Sequence, residues 1–233
     1  MSFRSQRDRS RRGPLTWSVP SCPPGGDPVD IALPFTRGAL ATLLGTVGVR
    51  PPESGAKLFG PATHLGIDVV EFDEAGSRRA GGSLYSPDAA WGSARQGHWI
   101  SQRPPHQRLW SGDAHSHPGD FGWPSQKVGP GLGDLGYVER VFEENEVQFE
   151  FCIPILTGTG PGAGPVRIHP WMVLRSDPLR PRWARFVVQE ADEFGERRFN
   201  PAFEAAAAAE TEPVAPPDDR LGVDLDHLAE RLQ

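Results

Sequence analysis

Glycine and proline punctuate this chain so heavily, at 27 and 25 of its 233 residues, that it must make many turns and leave some of its ends unfolded. A hydrophobic content of 37% over that length is still enough for one sizeable core. The expectation is one folded domain over residues 29–199. A basic arm and linker precede it at residues 1–28, and an alanine-, proline- and acid-rich tail follows at 200–233. Near the end of that tail, Leu221, Leu225, Leu228 and Leu232 recur at helical spacing, which predicts a short amphipathic helix over Asp224–Leu232.

The net charge of −6 argues against nucleic acid as the main partner, since domains that grip a phosphate backbone carry a basic face. The arginines between Arg4 and Arg12 are not followed by an apolar segment, and no apolar run reaches membrane-spanning length. No secretory signal or membrane partner is expected, and the location expected is the cytoplasm. Cys22 and Cys152 stand alone, without the paired spacing of a disulfide framework or a cysteine zinc site.

Periodicity assigns the elements. Leu40, Leu43, Leu44 and Val47 mark a helix that Thr36 caps and Pro51-Pro52 stop. Strands are predicted at Lys57–Phe59, Gly66–Phe72, Gly82–Tyr85 and Arg108–His117. A second helix over Asp134–Asn145 places Leu135, Val138, Val141 and Phe142 on one face. Strands at Gln148–Leu156 and Val166–Leu174 follow, joined across the Gly/Pro loop Thr157–Pro165, with a last one at Arg182–Gln189. The fold class is therefore α/β, a mixed sheet with flanking helices.

The chemistry concentrates in Asp113-Ala-His115-Ser-His117-Pro118, with Ser125 further on and Glu53-Ser-Gly55-Ala-Lys-Leu58-Phe-Gly60 upstream. Residues two apart on a strand project from one face, so His115 and His117 can present both imidazoles to one ion. A catalytic zinc has three protein ligands, commonly histidine and carboxylate, and keeps its fourth position for water. The remaining histidines, His64, His98, His106, His169 and His227, have no paired spacing and read as ordinary polar residues. Trp110 and Trp123 flank the histidine pair and could wall a groove, although aromatic residues more often serve a core.

His-Ser-His-Pro followed by Ser125, after an upstream Glu-x-Gly-x-x-Leu-x-Gly block, resembles the signature of the JAB/MPN zinc metalloproteases over roughly Val29–Gln189. That resemblance implies a cytidine-deaminase-like sandwich, one Zn2+ per chain held by His115, His117 and an aspartate, Glu53 as general base and Ser125 as oxyanion donor. It also implies peptide or isopeptide cleavage after the C-terminal tail of a ubiquitin-like protein, in company with activating or conjugating enzymes of the same pathway. The alternative is a non-catalytic MPN-type scaffold in such a pathway. A DNA-repair-associated branch is similar too, but its His-Asn-His-Pro differs from the motif here.

The chain departs from the pattern in one place. Three residues after Ser125, where the family places its aspartate, stands Val128, and Asp134 comes six residues later. An insertion after Ser125 would restore Asp134 as the ligand, with Asp120 as the other candidate. An insertion before the serine position would put Gly131 there instead. Asp134 also stands where a helix N-cap would, and a carboxylate there is favoured by the helix dipole.

Overall fold

The computed structural model describes residues 16–21, 28–79, 85–126, 133–145, 148–160 and 164–195. The arginine-rich start, the tail with its predicted helix over Asp224–Leu232, and Gly131 lie outside them. The chain opens with β1 (Trp17–Ser18), β2 (Pro28–Phe35), α1 (Arg37–Thr46), β3 (Gly55–Pro61), β4 (Val69–Asp73), α2 (Glu74–Arg79) and α3 (Ala89–Ile100). It continues with β5 (Arg108–Ser116), α4 (Gly133–Glu144), β6 (Glu150–Cys152), β7 (Ile155–Thr157), β8 (Val166–His169), β9 (Trp171–Leu174) and β10 (Asp177–Val188). This is an α/β architecture built on one mixed ten-stranded sheet.

Local chemistry accounts for the helices that cover the two faces of the sheet. Thr36 adopts an extended conformation and its side chain accepts from Ala39 N–H at 3.2 Å, so α1 starts where its cap stands. Leu40, Leu43 and Leu44 bury its apolar face. In α4, Leu135, Val138, Val141 and Phe142 do the same. Two helices were not legible from periodicity. α2 is six residues long, and α3 buries only Gly92, so neither carries an apolar stripe.

Prolines divide the two long strands predicted in the second half. The stretch 148–156 breaks at Ile153-Pro154 into β6 and β7, and 166–174 breaks at Pro170 into β8 and β9, because proline has no N–H to give a ladder. One edge of β5 therefore pairs in parallel with β6 at Gly112 and with β7 at His115 and Ser116, while its other edge pairs antiparallel with β3. Gly112 permits the approach to β6, since a Cβ there would lie 2.0 Å from the Cys152 carbonyl oxygen. Two further differences concern the start of the chain and the predicted strand Gly82–Tyr85. Trp17–Ser18, read as part of an arm and linker, pairs with Val166–Arg167. Residues 82–84 lie outside the described set, and Tyr85 is not in a strand.

The sheet carries an apolar core on each face. On one face Leu43 of α1 packs with Phe35, Ala56, Leu58, Ala114 and Leu156. On the other, Leu135 and Phe142 of α4 pack with Phe151, Ile155, Trp171 and Trp183. The strands serve both by alternation: Phe151 and Ile153 face one core and Cys152 the other. In β5 and β3 the rule has a different product. Ala114, Ala56 and Leu58 fill the α1 core, so the residues between them, Asp113, His115, Gly55 and Lys57, turn toward the α4 side.

Candidate metal centre

On that side the two strands present polar groups where the rest of the sheet presents apolar ones. His115 and His117 are both buried, with their Nε2 atoms 2.9 Å apart. Asp134, in the first turn of α4, reaches them from the helix layer on that face. Its Oδ1 lies 3.2 Å from His115 Nε2 and its Oδ2 3.5 Å from His117 Nε2. Among the described residues this trio forms a cluster able to hold a metal ion. A tetrahedral zinc with ligands near 2.05 Å sets them about 3.3 Å apart, and the imidazole pair, with each imidazole to its nearer Asp134 oxygen, is spaced on that scale.

The supports of these ligands fix their orientation. His117 Nδ1 lies 3.1 Å from the Phe121 carbonyl oxygen, which can only accept. The Nδ1 proton is thereby assigned, and in the neutral ring Nε2 keeps its lone pair for an ion. The rings of Tyr85 and Phe121 stack on His115 and His117, at centroid separations of 5.9 and 5.5 Å.

Asp134 and Ser125 hold each other. Ser125 N–H donates to Asp134 Oδ2 at 2.6 Å, and Asp134 N–H donates to Ser125 Oγ at 2.8 Å. The two residues meet although eight others separate them in sequence. Gly133 makes the turn into α4 with a φ of +74°, and a Cβ on it would lie 2.1 Å from the Gln126 carbonyl oxygen. Asp134 is thus joined to the histidines, and Ser125 to Asp134. Asp120 goes elsewhere: it is exposed and pairs with Arg167 at 2.8 Å.

Glu53 is buried at the bend before β3, and its Oε2 accepts from Tyr85 N–H at 3.2 Å. Its neighbour Ser54 is stitched to β5, because Ser116 N–H donates to the Ser54 carbonyl at 2.9 Å and Ser54 N–H donates to Ser116 Oγ at 3.1 Å. The electrostatics agree with this convergence. Burial disfavours a charged His115, yet the Asp134 carboxylate, aided by Glu53 and Asp113, outweighs it and raises the imidazole above its ordinary value. Burial would likewise raise Asp134, but the charge on His115, its hydrogen bond and the one from Ser125 N–H hold the carboxyl well below the usual carboxylate range.

Residues that the motifs did not single out adjoin the trio. Lys57 and Asp113, both buried, face each other across β3 and β5 at 3.3 Å. Tyr137 Oη–H donates to Asp113 Oδ2 and Trp110 Nε1–H to Asp113 Oδ1, each at 2.8 Å. Burial and then the Asp113 charge push the Tyr137 phenol well above its ordinary value. These groups line a cavity of about 530 Å³ together with His115 and Asp134. Two signals for them were available: a lysine between small and apolar residues in a predicted strand, and an aspartate two positions before His115, hence on its face. Trp110 lines this cavity, whereas Trp123 packs on Trp171 in the core under α4. No helix among the described residues is long and apolar enough to cross a membrane. Compared with models of known protein families and with curated proteins, the chain matches none.

Proposed function

We propose that this chain is a zinc-dependent peptidase of the JAB/MPN type that cleaves after the C-terminal tail of a ubiquitin-like protein, from a precursor or from a conjugate. The observation that carries the reading is the meeting of His115, His117 and Asp134 in one largely buried cluster, with Glu53 held by the N–H of Tyr85, whose ring stacks on His115. Two imidazoles and one carboxylate are a donor set suited to a catalytic zinc. When bound, zinc supplies a Lewis acid that activates water near neutral pH and polarises the scissile carbonyl.

The chain's own groups have the remaining tasks. Glu53 takes a proton from the attacking water as the water oxygen bonds to the carbonyl carbon. It returns that proton to the amine nitrogen as the C–N bond breaks. The Ser125 oxygen accepts from Asp134 N–H, which leaves its own O–H able to donate to the developing oxyanion. His117 is kept in the ligating tautomer by the Phe121 carbonyl, and Asp134 is held deprotonated by its neighbours.

The test combines metal content with cleavage. Purified protein should carry about one zinc per chain, and a fusion whose ubiquitin-like domain ends in a flexible Gly-ending tail should be cut directly after that tail, as read by intact mass. Protein that binds no zinc and leaves a panel of such fusions whole would instead be a scaffold that binds its partners without chemistry.

A further inference from the structure

His115 belongs to a row of residues in register across three strands. Gly55 of β3 stands beside it and Asp73 of β4 beside Gly55, with neighbouring strands about 4.8 Å apart. The middle member has no side chain, so a furrow lies between the imidazole and the carboxylate. Tyr85 fills that furrow. A Cβ on Gly55 would come within 2.2 Å of Tyr85 Cζ, so the ring rests directly on the Gly55 backbone. Its phenol donates to Asp73 Oδ2 at 3.1 Å, and its ring stacks on His115 at a centroid separation of 5.9 Å. Its N–H, in turn, donates to Glu53 Oε2 at 3.2 Å.

Asp73 is a fixed anchor for the phenol. It is 1% exposed, and it also accepts from Gly76 N–H and from Asp88 N–H, each at 2.8 Å. Those bonds tie the end of β4 to α2 and to the cap of α3, so the carboxylate is not free to follow a moving ring. The place of Tyr85 is thus set from the far side of β3, by elements that carry none of the three clustered ligands.

We infer that Tyr85 is a positioning residue for the reaction proposed above: its ring braces the ligand His115 and its N–H holds the base Glu53, so the two keep a fixed relation. The inference rests on that hydrolytic reading and adds to it the group that couples the base to the metal. A carboxylate that swings about its own torsions meets the attacking water only part of the time, and a bond to one of its oxygens removes that freedom.

Zinc affinity, read by competition with a chelator, and cleavage of the tail fusion at saturating zinc are measured for wild type, Tyr85→Phe, Tyr85→Ala, Gly55→Ala and the pair Gly55→Ala/Tyr85→Ala. Tyr85→Ala should weaken zinc binding by about 10-fold, the low end for contacts that orient a metal ligand. At saturating zinc it should also lower kcat by about 10-fold with KM unchanged, since Glu53 moves a proton and does not hold substrate. Tyr85→Phe keeps the ring and should stay within about threefold of wild type in both. Gly55→Ala evicts the ring and should match Tyr85→Ala. The pair should be no worse than Tyr85→Ala alone, because both changes act through one group. Tyr85→Leu stands in where Tyr85→Ala does not fold, and the Tyr85 variants decide where Gly55→Ala does not. A tyrosine that is only a wall of the cavity would move KM and leave zinc affinity and kcat as they were. One that only stabilises the fold would lower the melting temperature with zinc affinity and kcat unmoved. Either result overturns the inference, as does an additive loss in the pair. Zinc binding in the expected order with no fusion cut keeps Tyr85 as the brace of His115 and sinks the hydrolytic reading, whereas wild type that takes up no zinc sinks both.

Discussion

Each ligand in the cluster is held by a second contact, which lets single substitutions be read separately. His115→Ala, His117→Ala and Asp134→Ala should each strip the metal, whereas Asp120→Ala should retain it, because Asp120 is occupied with Arg167 at the surface. Elemental analysis decides this, and retention in Asp134→Ala with loss in Asp120→Ala would reverse the assignment. Glu53→Gln should fold and keep its zinc while turnover drops by about 10²-fold or more, the scale of a general base. A melting curve beside the assay separates lost chemistry from lost folding, and near-wild-type cleavage would rule Glu53 out. His169 gives a pH signature. Burial, with Arg167 and His117 nearby, lowers it from 6.5 to about 4, so the unfolded chain takes up a proton there before the folded one does. The stability it contributes is complete above pH 6.5 and is lost as the pH falls toward 4. Denaturant midpoints across that window should fall less steeply for His169→Gln than for wild type, and equal slopes would exclude the effect.

At the level of elements, the start of α4 matters most, because it brings a carboxylate to a pair of histidines on a different layer. Ser125→Ala removes the acceptor for Asp134 N–H and should cost about 1 kcal/mol, the usual net value of a lost hydrogen bond. Because Asp134 is then held less firmly, zinc affinity measured by competition with a chelator should weaken without vanishing. Unchanged affinity would show that the clasp is not needed to position the ligand. What could be read beforehand divides along physical lines. α1 was legible because an apolar stripe and its Thr36 cap agree, α4 because its apolar stripe is clear, and β5 because a strand-like run ends at a proline. α3 was not, because with only Gly92 buried its sole sequence mark is the Asp88 cap. His115, His117 and Glu53 stood in motif positions. Asp134 could only be suggested, since one sequence shows an offset of six residues but not the hydrogen bonds that close it. Lys57, Asp113 and Tyr137 were passed over because burial, which makes a polar residue informative, cannot be seen in a string of letters.

Taken whole, the molecule has one sheet between two cores, so the faces cannot yield independently. Leu43→Ala on the buried face of α1 should cost about 2–5 kcal/mol. The loss should be reported in a single transition by the tryptophan fluorescence of Trp171 and Trp183, which lie in the core on the other face. A separate early transition that leaves those tryptophans unmoved would show that the faces unfold apart. The shared sheet also makes β5 a self-checking ruler. If β5 were displaced by one residue against its neighbours, the charged and imidazole side chains would swing into the greasy layer beneath α1 and the alanine and glycine would come up in their stead. Such a misthreaded chain could not assemble the trio. If the trio takes up its ion as proposed, the fraction of a preparation that captures metal becomes a direct assay of the fraction threaded correctly, and refolding yields can be scored by titrating the ion alone, before any substrate is in hand.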